Sequence, residues 1–381
     1  MHCGVMVTGY NQDDWERLLR GEYHRPPDTP DYLHMEETLQ MGDLVEPLGF
    51  DSIWATEHYG SAYSMQPNPL QYLAYWAGRT RRVDLGTAVI VAPWWNPVRL
   101  ASEISMLDIL LRGRRLHLGI GRGISPHEYA SLGYPIDQSH KYFYDVVRAI
   151  KAADGAEQFT FDGEVYKIPA TTIRPQARHK GDLTRDIKVA FTTQASARLA
   201  AENGLGQMFV AGEDLDVMTG RVREFNTIRA ELGLPPDQPT TLLWMYCAET
   251  ESEAEEGWQY FTNQQLAAKH HYFEWKNPGF EGIKGYEEYL QRQNADTGSA
   301  DASAAARRAT QPIGTPEQII ATVQTLQRAL SLEKIVFHVF YGGMPREKAE
   351  KSLRLFAEKV LPALQAMPAP INPESLGALA R

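Results

Sequence analysis

Short runs of apolar and β-branched residues recur along the chain, and each is followed by a longer stretch in which apolar positions return every three or four residues. The runs are CGVMVT at 3–8, SIWAT at 52–56, VDLGTAVIV at 83–91, RLHLGI at 115–120, IKVAF at 187–191, GQMFVA at 206–211, TTLLWMYCA at 240–248 and EKIVFHVF at 333–340. A strand with one wet face would alternate apolar with polar, so these near-continuous runs predict parallel strands covered on both faces. The amphipathic segments between them, including PVRLASEISMLDILL at 97–111, QASARLAAEN at 194–203 and the stretch 346–364, predict the covering helices. Eight βα units in series close a barrel, whereas a doubly wound sheet rarely needs eight strands without a recognisable second domain. The predicted fold class is α/β: a single (β/α)8 TIM barrel with insertions over residues 1–366, followed by an extended C-terminal arm at 367–381 (MPAPINPESLGALAR).

Several connections exceed a plain turn, and in a barrel the loops that follow the strands are where ligands are met. The segment 10–30 is polar and proline-rich. The segment 155–185 carries FTFDGEVYKI, two β-like pieces around Asp162-Gly163, which predicts a hairpin excursion. From 252 to 311 an aromatic and charged insertion ends in the low-complexity DTGSADASAAARRATQ and predicts a lid-like element between the seventh and eighth strands.

Composition narrows the partners. With 38 basic and 48 acidic side chains the formal charge is −10, and no basic stripe interrupts it, so a nucleic-acid partner is not expected. The apolar runs stop well short of a bilayer span and the N-terminus turns acidic before a signal core forms, so no membrane partner and a cytoplasmic location are expected. Cys3 and Cys247 sit in strand-like runs without CxxC spacing or a histidine cluster, and read as small buried hydrophobes; no metal is expected.

Three features carry candidate chemistry. HLGIGRG at 117–123 invites comparison with a dinucleotide turn, but the third glycine comes one residue early, Ile124 stands in its place, and Ser125-Pro126 opens a loop rather than a helix. What remains is a glycine-lined turn after the fourth strand with Arg122 able to fork onto a phosphate. After the fifth strand, FTTQAS gathers Thr192, Thr193, Gln194 and Ser196 at a helix start, either as the other half of a phosphate site or as an ordinary cap. Fourth and fifth strands are neighbours in a barrel, so the two halves can converge. In GFDSIWATEHYG, His58 follows the second strand and faces the mouth, where an imidazole can move a proton near neutral pH or serve as a hydrogen-bonded structural group. Tyr10, Trp94, Trp95, His338, Phe340 and Tyr341 come from strand ends around the same mouth, and read either as core or as the lining of a pocket for a flat ring and an oily substrate.

Taken together, GFDSIWATEHYG, LGTAVIVAPWWNPVRLASEISMLDILLRGRRLHLGIGRG, EYASLGYPIDQSHKYFYDVVRAI, FTTQASARLAAENGLG, IGTPEQII and FAEKVLPAL resemble the bacterial luciferase-like, flavin-dependent monooxygenases over most of the chain. The resemblance implies an FMN-binding barrel with the flavin across the C-terminal mouth and its phosphate between the fourth and fifth strands. It places Arg122 on the phosphate, with Thr193, the Gln194 backbone and Ser196 completing the cradle beside Thr192. Ile124 touches the flavin through its backbone, a non-proline cis peptide lies at Ala88-Val89 beneath the ring, and His58 is the acid/base. The implied activity is that of a two-component monooxygenase. A separate NAD(P)H:flavin reductase supplies reduced FMN, and reaction with O2 through a C4a-(hydro)peroxyflavin oxygenates a hydrophobic organic substrate by hydroxylation or Baeyer–Villiger chemistry. A homodimer is also implied, with the C-terminal arm a candidate contact. The chain departs from luciferase itself in having Gly121 where that enzyme has a reactive cysteine, and in its Trp94-Trp95-Asn96 loop, so light emission is not implied. A deazaflavin (F420)-dependent oxidoreductase of the same fold and a non-catalytic flavin-binding protein are the competing readings.

Overall fold

The structure is a computed structural model that describes residues 1–191, 193–210, 213–274, 281–283, 286, 290 and 307–376. Its strands are β1 (His2–Met6), β2 (Ser52–Ala55), β3 (Asp84–Val91), β4 (Leu116–Gly121), β5 (Phe159–Asp162), β6 (Lys167–Thr171), β7 (Lys188–Val189), β8 (Gly206–Val210), β9 (Thr240–Trp244), β10 (Tyr246–Cys247), β11 (Ile313–Gly314) and β12 (Lys334–His338). Eight of them close a barrel in the order β1-β12-β9-β8-β7-β4-β3-β2, with parallel pairing throughout. They are the eight apolar runs of the sequence. Every residue of β2, β9 and β12 is buried, as expected for strands with side chains inside the barrel and helices outside.

Two of the sequence runs divide. The stretch 240–248 leaves the barrel after Trp244, whose amide is taken by the Gln311 side chain at 2.9 Å, and Tyr246-Cys247 pairs instead with β11. The amphipathic stretch 346–364 breaks at Val360 into Arg346–Lys359 and Leu361–Ala366, because Pro362 has no N–H to continue the ladder. The excursion at 155–185 contains the antiparallel hairpin β5-β6. The insertion at 252–311 starts as a helix, Glu251–Lys269, capped by the Thr250 hydroxyl, and widens into a π-type turn at His270–Glu274. Of its low-complexity portion, 296–306 lie outside the described residues.

Inside the barrel Met6, Trp54, Ala88, Met208, Leu242 and Val336 form one cluster. The Trp54 indole spans this space only because β3 has a glycine opposite it: a Cβ on Gly86 would lie 2.5 Å from the ring. The floor, at the N-terminal strand ends, is a satisfied polar plug. His2 and the Trp54 indole both bond the Ser52 hydroxyl at 2.7 Å, while His117 links Lys334 at 3.3 Å to Asp84 at 3.2 Å. The C-terminal arm also runs across the floor side, where Ser331 meets Ser375 at 2.6 Å and Asn226 bonds the Ser375 carbonyl at 2.8 Å. Cys3 and Cys247 are buried free thiols, and burial pushes both up to about 12. No helix among the described residues is long and apolar enough to cross a membrane.

Candidate active site

With the floor plugged, the open end of the barrel is the C-terminal mouth, and the residues after each strand build it. After β2, Glu57 turns into the wall. It accepts the Val91 amide at 2.7 Å, the Trp95 indole N–H at 2.9 Å and the Tyr59 hydroxyl at 3.2 Å, tying the end of β2 to the end of β3. Burial pushes its carboxyl up to about 8 against the pull of those hydrogen bonds, so at neutral pH it is mostly the neutral acid. The next residue, His58, keeps 15% of its side chain exposed and points Nδ1 at Glu128 Oε1, 3.1 Å away.

Glu128 is the hub of the cluster. The same oxygen accepts the Tyr59 amide at 2.7 Å, and Oε2 lies 3.3 Å from Nε2 of the buried His271. Burial opposes charge on this carboxyl, yet attraction to His58 and the hydrogen bonds from His271 and His58 outweigh it and hold the group at about 2. Burial lowers the His271 pKa, so its imidazole is neutral: Nε2–H donates to Glu128, and Nδ1 accepts the Ser61 hydroxyl at 2.9 Å. An ionised Glu128 likewise fixes the His58 proton on Nδ1. In the neutral form of His58 this leaves Nε2 as the acceptor, 3.4 Å from the Tyr272 hydroxyl. The donor atoms of His58, Glu128 and His271 all lie within 4.8 Å of one another. Both imidazoles spend an N–H on the carboxylate, so the set is arranged to hold protons rather than to present lone pairs to a cation.

The second part of the mouth lies after β4 and β7. Ile120 pairs with Val189, which brings Arg122 and Thr193 out of hydrogen-bonded neighbouring strands. The Arg122 guanidinium sits 4.2 Å from the centre of the Tyr286 ring, and its backbone is braced by two phenols: Tyr129 donates to the Arg122 carbonyl and Tyr286 to that of Gly123 at 2.5 Å. Thr193 is the cap of helix Gln194–Glu202, accepting the Ser196 amide at 3.2 Å and donating to the Ser196 hydroxyl at 3.0 Å. The amides of Gln194 and Ala195 find no acceptor among the described residues. Thr192 lies outside the described residues. Ala88-Val89 is a cis peptide, and Ile124 is half-buried beside this turn. A Cβ on Gly121 would lie 2.5 Å from Val89 Cγ2, so the position where luciferase carries cysteine admits no side chain against this valine.

The third part is aromatic. Tyr10 lies 3.5 Å through its hydroxyl from His338 Nδ1, and His338 stacks on Trp244 with ring centres 5.0 Å apart. Tyr63 joins this group to the proton-holding cluster, 5.7 Å from Tyr10 and 5.1 Å from His58 by ring centres. Trp94 packs against Tyr59, Tyr129 and the Gly123 turn, and Trp95 bonds Glu57. Phe340 packs half-buried against the core, and Tyr341 is buried with its hydroxyl on the Met245 carbonyl at 3.3 Å. Of the sequence candidates, Arg122 follows β4 and Thr193 and Ser196 follow the neighbouring β7, while Tyr10 lies beside His338. Glu128, His271, Tyr272, Tyr63 and Trp244 are additions. A separate shallow groove lined by Ala101, Ile104, Ile150, Ile173 and Leu183 has none of these convergent groups.

Comparison with known proteins places this geometry in context. The sequence matches luciferase-like monooxygenases over residues 20–332. It is 26% identical over 342 residues to the oxygenase component of the flavin-dependent trigonelline monooxygenase of Acinetobacter baylyi, covering 86% of this chain and 89% of that one. Among solved structures it is similar to the monooxygenase RslO1 of Streptomyces bottropensis, with 25% identity, a TM-score of 0.75 and coverage of 96% of this chain and 100% of that one. An F420-dependent secondary alcohol dehydrogenase shares the fold at 14% identity, with a TM-score of 0.64 over 95% of this chain and 98% of that one. With most of its length matched by the family model and the barrel fold shared, the chain belongs to the luciferase-like monooxygenase family.

Proposed function

We propose that the protein is the oxygenase component of a two-component flavin-dependent monooxygenase, receiving reduced FMN from a separate NAD(P)H:flavin reductase and using O2 to oxygenate a hydrophobic organic substrate. The observation that carries this reading is the pairing of Arg122 with the Thr193-capped helix on adjacent strand ends. An arginine fork and two helix-start amides without an acceptor among the described residues are the kinds of group that bind a phosphate. That feature favours a flavin mononucleotide, and the family's oxygenase relative in Acinetobacter baylyi is named as flavin-dependent. Gly121 lets β4 pack directly against Val89 of the Ala88-Val89 peptide, and the arginine and the helix-start amides beside it are groups of the kind that hold a phosphate, so the residues present fit the group.

Bound reduced FMN supplies the electrons and the position at which O2 is activated. This chain's own residues do the rest. Arg122, the amides of Gln194 and Ala195, and Ser196 hold the phosphate. Glu57 fixes the end of β3, and so the backbone that would carry the ring. Glu128 keeps the His58 proton on Nδ1, so Nε2 can take a proton from the substrate side and return it, with Tyr272 as neighbour. The aromatic wall of Tyr10, Tyr63, Trp244 and His338 keeps the reacting space dry.

The test is to supply chemically reduced FMN and isotopically heavy O2 with a panel of ketones, aldehydes and terpenoids. A product one oxygen heavier, with the label derived from O2, is the expected result. Failure to oxygenate any compound, together with hydride transfer from reduced F420, overturns the reading in favour of a deazaflavin oxidoreductase.

A further inference from the structure

Among the described residues of the mouth, the N–H groups of the Trp94 indole, the Gln264 amide and the Trp244 indole are buried without an acceptor, and only that of Trp244 lies in the stacked group with His338 and Tyr10. The Trp244 indole N–H is buried and has no acceptor, although the residue is only 7% exposed and its backbone is pinned by Gln311. The floor of the same barrel shows the contrast, since there the Trp54 indole N–H is matched to Ser52 at 2.7 Å. A buried donor without a partner is what a binding site for an acceptor leaves behind when the ligand is away.

The surroundings define that acceptor. Trp244 and His338 are register partners at the C-terminal ends of β9 and β12, and their rings stack within 13° of parallel. Tyr10 closes one side and Phe261 stands edge-on to Trp244 at 5.5 Å. Burial keeps His338 neutral, at about 3, and holds the Tyr10 phenol well above its ordinary range. No ionised side chain contacts this group among the described residues, so a charged ligand would lose its hydration here without compensation. In the barrel order β9 and β12 lie across the mouth from β3 and β4, the strands that carry Ala88-Val89 and Arg122. The slot therefore faces the flavin cradle rather than forming part of it.

We infer that the Trp244–His338–Tyr10 slot is the substrate subsite and that it selects an uncharged, flat ring bearing a carbonyl, whose oxygen accepts the Trp244 N–H. The inference rests on the proposed oxygenase reading for calling the ligand a substrate, but its test is a binding measurement that needs no turnover. Pairs of probes matched in shape, such as 1-tetralone and tetralin or anthrone and dihydroanthracene, are titrated into the protein with and without FMN. The wild type is expected to bind each ketone about tenfold more tightly than its hydrocarbon, the worth of one hydrogen bond at about 1.4 kcal/mol. Trp244→Phe keeps an aromatic ring but removes the donor, so the preference should vanish while FMN affinity stays within about twofold and the thermal midpoint confirms folding. Three results each overturn the inference: no ketone preference in the wild type, a preference that survives in Trp244→Phe, or a loss of FMN binding instead of ketone binding. A wild type that prefers ketones yet fails the oxygen-labelling test would leave the subsite standing and remove the oxygenase reading.

Discussion

Glu128 does more for the mouth than any single residue recognised from the sequence. One carboxylate receives His58 from the end of β2, the Tyr59 amide beside it, and His271 from the insertion, and so decides which nitrogen of His58 carries a proton. Glu128→Gln preserves acceptor and shape but removes the charge. Turnover is expected to fall about a hundredfold, the scale of a displaced acid/base group, with the Kd for FMN and the thermal midpoint unchanged. Steady-state kinetics beside a flavin titration reads this out, and a variant with full kcat contradicts the assignment. The reason Glu128 escapes sequence reading is physical. Ser125-Pro126-His127-Glu128 has the form of a capping box, and half of one is present, since the Ser125 hydroxyl accepts the Glu128 amide at 3.4 Å. The carboxylate is diverted to partners 70 and 143 residues away, a choice no local pattern encodes. His58, Arg122 and Thr193 were legible because each stands just after an apolar run, where strand geometry alone sends it to the mouth. Trp244 was hidden inside such a run.

At the level of elements, the eight strands follow from their apolar runs because burial on both faces is a strong local constraint. Boundaries are weaker: one proline divides the predicted 346–364 helix, and one side-chain hydrogen bond from Gln311 diverts the chain after β9. The insertion at 252–311 supplies His271, Tyr272 and Tyr286, whose contacts with Glu128, His58 and Arg122 are tertiary and invisible to periodicity. The floor plug offers a test of how the strands are tied. Burial, with His117 next, lowers the His2 imidazole to about 3, whereas an unfolded histidine titrates near 6.5. Between those values the unfolded chain binds more protons, so the contribution is fully present above pH 6.5 and is lost as pH falls towards 3. From pH 7 to pH 5 this one group is expected to cost at most about 2 kcal/mol, reduced by its partial exposure. Urea unfolding at both pH values should show His2→Gln flattening the acid slope; an unaltered slope excludes His2 as a source.

For the whole molecule, closing the barrel is what makes a site from scattered pieces. Adjacent strands β4 and β7 bring the arginine turn beside the capped helix, while β9 and β12 set the aromatic slot across the opening, with the His58 cluster reaching it through Tyr63. The plugged floor leaves the mouth as the working end. The central claim is that a flavin phosphate sits between Arg122 and the helix start at Thr193. Equilibrium titration of reduced FMN, reduced riboflavin and reduced F420 into the wild type and Arg122→Ala tests it most directly. FMN is expected to bind roughly 10- to 100-fold more tightly than riboflavin, as charge-assisted hydrogen bonds to one phosphate warrant, and Arg122→Ala should erase most of that difference. Equal affinity for FMN and riboflavin, or undiminished FMN binding by the variant, contradicts the account.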